Sequence, residues 1–166
     1  ADLGFVDRLG NSIYPDHLES FAAFAAKFRA CVAACLVAEL GGRGAGYCLA
    51  LPADLGAPPR LNQVRYSPAR PSYMHIHDIA LAEASRGHGL VPRARDHAAE
   101  VAGKLGLEGL SLIAVRGTER MWPRYGFAPA ECDRAILASF GGGIYMTRVF
   151  RARAHQTATT GRQVPT

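Results

Sequence analysis

The stretch Tyr73-Met-His-Ile-His-Asp-Ile-Ala-Leu-Ala-Glu-Ala-Ser-Arg-Gly-His-Gly-Leu-Val-Pro92 decides the fold. Its first ten residues, 73–82, are mostly apolar and predict a strand. A turn with two glycines follows at 85–89. The residues 92–105 are rich in alanine, with polar residues along one side, and predict a helix that Pro92 suits in its first turn. A strand, a glycine turn and a helix in direct succession indicate an α/β protein.

The turn Arg86-Gly87-His88-Gly89 has the features of an anion site. Glycines let the backbone approach a ligand closely, and the first N–H groups of the next helix have no partner within that helix. With the positive end of the helix dipole they suit a pyrophosphate, and Arg86 adds a fixed charge. Arg93 and Arg95 could reach a further phosphate. On the glycines alone, an ordinary turn remains the alternative. Neither a dinucleotide fingerprint nor a P-loop fits this spacing.

The rest of the chain adds further strands and helices on both sides of this segment. A helix is predicted from a cap at Asp16 to Cys31, and a proline-rich loop over 52–72. A short helix is expected from Thr118 to Gly126. The other predicted strands are 31–40, 45–51, 110–115 and 143–150. This order predicts a mixed α/β sheet with helices on its faces.

Length and composition limit the number of domains, the kinds of binding partner and the cellular compartment to be expected. A length of 166 residues suits one domain, predicted over 1–151, and the polar residues 152–166 indicate a disordered tail. The net charge of +5 favours anionic partners, but no basic face interleaved with aromatic residues indicates nucleic acid. The four cysteines form no C-x-x-C pair, and neither a leader nor a membrane span is recognisable. We therefore expect a cytoplasmic protein.

Four segments resemble the GNAT superfamily of N-acetyltransferases. Residues 86–91 are similar to its acyl-CoA loop, Gln/Arg-x-x-Gly-x-Gly/Ala, although Val91 stands where glycine or alanine is usual. Residues 37–47 resemble its central hairpin, and 110–115 the strand after the cofactor helix. The segment 121–127 is similar to an aromatic-x-x-x-Gly-Phe signature. The resemblance spans about 16–150. It implies a mostly antiparallel sheet with helices on both faces, and a first strand of which 1–11 contains only a weak counterpart.

The resemblance implies an acetyl-CoA cosubstrate and a primary amine acceptor, which we expect to be a small molecule. It also allows a homodimer. Strand backbone groups would bind the pantetheine arm, and the loop would bind the pyrophosphate. The resemblance assigns the pantetheine arm to the backbone of Ile79, Ala80 and Leu81. It assigns the pyrophosphate to Arg86, Gly87, His88, Gly89, Leu90 and Val91.

The candidate catalytic residues are His77, His75 and Tyr125. Two histidines two apart in a strand share a face, and histidine titrates near neutral pH. Their spacing to the loop resembles that of arylalkylamine N-acetyltransferases, where such a pair is thought to accept the amine proton through water. His77 is the first candidate base, although a structural role is weighed equally, and Asp78 is expected to face the other way. Many members of the family place a tyrosine hydroxyl near the cofactor sulfur at the position that Trp122 occupies here. Tyr125 or Tyr145 could act as the proton donor instead.

Two other functions and several acceptors remain open. The chain could bind acyl-CoA without catalysis, or the His-x-His pair could ligate a metal with Asp78, although no third ligand has a recognisable spacing. We expect no metal. An aromatic or aliphatic amine is favoured over a polyamine, because no acidic cluster is visible, and a protein amine stays open. The residues expected to line an apolar pocket are Phe21, Phe24, Phe28 and Tyr73.

Overall fold

A computed structural model describes residues 3–15 and 17–150. Six strands form one sheet in the order β1-β2-β3-β4-β6-β5, in which β3 and β4 are parallel and all other neighbours are antiparallel. The strands are β1 Leu36–Leu40, β2 Arg43–Ala53, β3 Tyr73–Leu81, β4 Gly109–Ala114, β5 Ala128–Pro129 and β6 Ile144–Val149. The predicted mixed, mostly antiparallel sheet is confirmed.

Helices cover both faces of this sheet, as predicted. They are α1 Leu3–Ile13, α2 Phe21–Ala30, α3 Leu90–Lys104 and α4 Arg134–Ser139. The alanine-rich side of α3 packs in one hydrophobic cluster, to which Ala98, Met74 and Leu110 belong. The second cluster lies beside α1 and α2 and contains Val6 and Phe24.

The N-terminal region differs from the prediction. The family pattern placed a weak strand within 1–11, but Leu3–Ile13 is a helix. Val6, Leu9 and Ile13 recur at helical spacing and join the second cluster, which stabilises α1 by burial. The next helix begins only at Phe21, because the hydroxyl of Ser20 accepts the N–H of Ala23 at 3.2 Å and caps it. The predicted cap Asp16 lies outside the described residues.

Elements next to the predicted turns lie close to where the sequence indicated. Gly89, with φ 69°, immediately precedes α3, Pro92 occupies its first turn, and Gly106, with φ 71°, follows its end. The short strand β5 and the six-residue α4 were not predicted, because elements of this length give little periodicity. The tail 152–166 lies outside the described residues, so its disorder stays a prediction.

Two irregularities of β3 position the site. β3 pairs with β4 only from Tyr73 to Ile76, so beyond that point the two strands diverge and β3 continues to Leu81 beside β2 alone. On the β2 side, Leu49 pairs with Asp78 and Ala50 with Ile76. His77 is therefore the extra residue of a β-bulge, which interrupts the alternation of side chains along the strand.

Candidate active site

A cavity of about 540 Å³ opens where β3 and β4 diverge. One part is lined by the ends of these strands, by the glycine turn before α3 and by Trp122. The other part is lined by the end of α1, the segment before α2 and the glycine run 141–143. Residues far apart in the sequence therefore share one space, whose volume suits a small-molecule site.

The glycine turn presents its backbone to solvent. Gly87 and Gly89 have φ of 81° and 69°, and a Cβ at either position would meet no heavy atom within 4 Å. The Ser85 hydroxyl anchors the turn by donating to the Ala45 carbonyl at 2.5 Å. Gly89 offers α3 no side-chain cap, and the exposed Arg86 stands beside these amides. The turn therefore leaves its backbone groups open to a ligand, and their role as an anion site stays a prediction.

The residues predicted to hold the cofactor do not all face the cavity. Those that line it are Ile79, Leu81, Arg86, Gly87 and Val91. Ala80 is buried in the second cluster beside α1 and α2, so only its backbone remains available for an arm between the strands. His88 and Gly89 are exposed, and Leu90 lines a smaller neighbouring cavity of about 240 Å³. Val91 also packs against the first cluster.

The side chain of His77 is enclosed, with 1% of its surface exposed. Its Nε2 lies 3.1 Å from Oε2 of Glu19, and its ring centroid is 5.7 Å from that of Phe140. Nδ1 has no hydrogen-bond partner among the described residues. Burial, and then the nearby Lys27 ammonium, lower the pKa of His77. A neutral His77 that donates from Nε2 to Glu19 therefore keeps a lone pair on Nδ1.

His75 lies behind His77 rather than at the cavity surface. It is fully buried, its Nδ1 is 3.1 Å from the Ser111 hydroxyl, and its ring stacks on that of Tyr145 at 6.4 Å. Burial holds its pKa well below the ordinary value. The centroids of the two histidine rings are 6.0 Å apart, so His75 packs against His77 without facing the cavity.

Glu19 was missed by the sequence analysis. Its carboxylate forms a buried ion pair with Lys27 and accepts the backbone N–H of Asn62 at 2.5 Å. The Asn11 side chain fixes the Glu19 backbone with two hydrogen bonds of 3.0 Å. Burial alone would raise the pKa of Glu19, but His77 and Lys27 outweigh it and lower the pKa to about 2. No sequence signal links Glu19 to His77, because they are 58 residues apart.

Asp78 faces the same cavity as His77, which corrects the expectation that it would face the other way. The bulge at His77 is the reason. The Tyr47 hydroxyl donates to Oδ2 of Asp78, and Tyr14 donates to the same carboxylate. Burial raises the pKa of Asp78 to about 7, and the Glu19 charge adds to the rise, although the tyrosine hydrogen bonds oppose it. Two carboxylates thus meet at a site where the sequence indicated no acidic cluster.

The candidate proton donors lie outside the cavity lining. Trp122 lines the cavity, whereas the Tyr125 ring packs against it at 6.0 Å and under the guanidinium of Arg95 at 4.7 Å. Tyr145 is buried, and its hydroxyl accepts the Gly56 N–H at 3.2 Å. A catalytic role for Tyr125 therefore stays a prediction.

The apolar part of the lining also differs from the expected set. Of the four aromatic residues proposed, only Phe24 lines the cavity. Phe21 is exposed, and Tyr73 lies at the other end of β3. Ile13, Leu61 and Phe140 complete this apolar wall.

Within 3–15 and 17–150, no three histidine, cysteine, aspartate or glutamate side chains gather in a way that could hold a metal ion. None of the helices described here has the length and apolar character needed to cross a membrane.

Two strands that diverge beside a glycine-rich turn, which leads directly into a helix, define an acyl-CoA-binding fold. The chain belongs to the acetyltransferase (GNAT) family, whose model matches residues 7–127. This membership confirms the predicted acyltransferase class and acetyl-CoA as its cosubstrate. A search of curated proteins finds no match.

Solved structures agree with this fold at low sequence identity. Ard1 from Thermoplasma volcanium is 14% identical with a TM-score of 0.68, over 90% of this chain and 92% of that one. A GNAT acetyltransferase from Brucella melitensis, in complex with acetyl-CoA, is 18% identical with a TM-score of 0.57, over 90% and 82%. Rv2747 from Mycobacterium tuberculosis, in complex with CoA, is 15% identical with a TM-score of 0.61, over 90% and 95%.

Proposed function

We propose that the protein transfers the acetyl group of acetyl-CoA to the primary amine of a small molecule, with His77 as the base that accepts the amine proton directly or through water. The observation that carries this proposal is the shared cavity. The glycine turn and the diverging strands line one part of it, and the His77–Glu19 pair lies in the other. The proposed donor site and base thus border one enclosed volume.

The chain supplies binding and proton transfer, while acetyl-CoA supplies an electrophilic thioester carbonyl. The Nδ1 lone pair of His77 takes a proton from the entering ammonium group. The amine nitrogen then bonds to the carbonyl carbon, and the carbon–sulfur bond breaks. Glu19 is hydrogen-bonded to Nε2 and stabilises the protonated ring, and His75 supports the ring by packing. As the amide forms, the nitrogen loses its second proton to water, and the CoA thiolate leaves and takes a proton from water, with Tyr125 retained as a candidate donor. Protonated His77 then returns its proton to water, which restores the neutral base.

The size and walls of the cavity support a small acceptor. About 540 Å³ must receive the reactive end of the cofactor as well as the amine. Aromatic and aliphatic side chains, among them Phe24 and Phe140, line the acceptor part. An apolar amine of modest size therefore fits better than a folded protein surface.

The location and assembly of the protein are proposals of the same kind. Free thiols at all four cysteines support a reducing compartment, for which the cytoplasm is the simplest candidate. A single domain over 1–151, a homodimer and the lack of a nucleic-acid partner stay predictions.

Calorimetric titration with acetyl-CoA, CoA and dephospho-CoA tests the donor site first. We expect micromolar or tighter binding of acetyl-CoA, weakened by Arg86→Ala. Thiol release is then followed across a panel of primary amines. Tight binding without turnover of any amine would instead identify a non-catalytic acyl-CoA-binding module, and no binding at all would leave only the fold.

A further inference from the structure

Asp78 is a cavity-lining carboxylate that the proton transfer to His77 does not use. The bulge turns it toward the cavity beside His77, and it directly precedes Ile79, whose backbone belongs to the proposed donor site. A buried carboxylate is costly unless it is paired, and none of the ion pairs formed by the described residues involves Asp78. Lys27 does not provide that partner, because its ammonium pairs with Glu19.

Two tyrosines hold the Asp78 carboxylate in a set orientation. The hydroxyls of Tyr47 and Tyr14 donate to it, and burial raises the pKa of both tyrosines far above the ordinary value, so they stay neutral donors. Gly10 on α1 makes room for this arrangement, since a Cβ there would clash with the Tyr47 hydroxyl. A carboxylate has about four lone-pair sites, so the two hydroxyls and the backbone N–H of Ile79 leave capacity for one further donor from the cavity.

The nearby residues favour a compact cation with an apolar body. Ile13, Phe24 and Phe140 line the same part of the cavity and offer apolar contact. An ammonium group carries three donors and a charge that a carboxylate binds more strongly than it binds a neutral group. His77 directly precedes Asp78, and its buried Nδ1 atom has no hydrogen-bond partner among the described residues. A group that accepts a proton from an ammonium bound to Asp78 must lie close to Asp78, and this position meets that requirement.

We propose that Asp78 binds the ammonium group of the acceptor, and so selects amines that enter the cavity as cations on a small aliphatic or arylalkyl body. This inference rests on the proposed acetyl transfer and names its acceptor class. Asp78 holds the cation and His77 removes its proton. Acetylation converts the amine into a neutral amide, which Asp78 no longer attracts, and this favours release of the product.

Asp78→Asn tests the proposal, because asparagine keeps the shape and one acceptor oxygen but removes the charge. The probes are 2-phenylethylamine and hexylamine, each matched with its alcohol, 2-phenylethanol or hexanol, as a neutral inhibitor. In the wild-type protein the amines should bind at least about tenfold more tightly than the alcohols. In Asp78→Asn this preference should vanish, while the inhibition constants of the alcohols and the Kd of acetyl-CoA change less than about threefold.

The pH dependence separates binding by Asp78 from a structural role. The amine probes stay protonated between pH 6 and 8, whereas Asp78 ionises near pH 7. The KM for amines should therefore fall as pH rises in the wild-type protein, and this slope should be absent in Asp78→Asn. The charged and titratable groups around Asp78 are Tyr14, Glu19, Lys27, Tyr47, His77, Arg86 and Arg116. All of these groups are common to both proteins, so a difference between the two pH profiles reports on Asp78.

Tyr47→Phe is a second variant that keeps the carboxylate and removes one donor. It should raise the KM for amines severalfold and leave the inhibition constants of the alcohols unaffected, which tests the proposal independently of Asp78→Asn. A preference for amines that survives in an active Asp78→Asn enzyme would overturn the role of Asp78 and leave acetyl transfer intact. Acetyl transfer by the wild-type protein without any preference for amines over alcohols would overturn the role of Asp78 as well. Failure of the wild-type protein to bind acetyl-CoA would instead contradict the proposed function.

Discussion

The two parts of the cavity differ in how the chain builds them. Most of the donor part comes from one continuous stretch, Ile79–Val91, in which a strand end, two glycines and a helix start follow one another, and the end of β4 and Trp122 complete it. The acceptor part is assembled from α1, the segment before α2, the bulge of β3 and the glycine run 141–143. Local sequence encodes the first, whereas tertiary packing assembles the second. Variants in one part should therefore leave binding at the other unchanged.

Loss of the proposed base should have the largest effect on the acceptor part. His77→Ala removes a proton acceptor worth roughly 10²–10⁴-fold in rate, so kcat should fall by that order. The Kd of acetyl-CoA should stay within a factor of about two, because His77 lies outside the glycine turn. Stopped-flow or steady-state thiol release measures the rate, and calorimetry measures the Kd. Unchanged kcat would remove His77 from the mechanism.

Asp78→Asn should stabilise the protein against unfolding in a pH-dependent way. Folding raises the pKa of Asp78 from 3.8 to about 7, so between these values the folded wild-type protein binds more protons than the unfolded chain. Its stability therefore falls as pH rises through that window. The difference in unfolding free energy in favour of Asp78→Asn should grow from pH 4 to 7 and level off above, at up to about 4 kcal/mol. Urea denaturation at several pH values measures it, and a difference independent of pH would contradict the burial argument.

Gly10→Ala should disturb the acceptor part through Tyr47. The new Cβ overlaps the Tyr47 hydroxyl, so the variant should lose about 1–3 kcal/mol of stability and bind amines more weakly. The matched control is Gly103→Ala on α3, where a Cβ meets no heavy atom within 4 Å and helix propensity favours alanine. Thermal unfolding distinguishes them. Equal responses of the two variants would argue against a close approach of α1 to Tyr47.

Arg86→Ala should weaken the donor part by a smaller amount. One exposed guanidinium beside a phosphate group contributes about 1.4 kcal/mol, so the Kd of acetyl-CoA should rise about tenfold at low salt and less at high salt. Arg43→Ala, at the exposed turn between β1 and β2, is the matched control and should leave the Kd unchanged. Equal loss in both variants would indicate general electrostatic attraction rather than a built site.

Tyr125→Phe should have the smallest effect. Its ring packs against Trp122 and Arg95 outside the cavity lining, so removal of the hydroxyl should lower kcat less than about threefold. A pH–rate profile compared with that of the wild-type protein checks this expectation. A large fall in kcat, together with loss of the alkaline limb of the pH–rate profile, would establish Tyr125 as the proton donor.

Elements with strong local signals were predicted correctly from the sequence. The glycine turn before α3, Pro92 in its first turn and the order of β2, β3 and β4 all follow from backbone preferences and periodicity. The N-terminal helix was not predicted, because its stability comes from packing of Val6 and Ile13 against distant residues. The direction of Asp78 was wrong because alternation along a strand does not reveal a bulge.

The sequence by itself determined the class of this protein and predicted the place of its donor site. The conformation of a glycine turn depends on residues that are neighbours in the sequence, so the succession of strand, turn and helix can be predicted without a structure. Only the tertiary structure revealed the contacts on which the proposed acceptor site depends. It brought Glu19 to His77 across 58 residues, set Tyr14 and Tyr47 on Asp78, and turned His75 into the interior. Such contacts arise from packing between elements, which no spacing along the chain encodes.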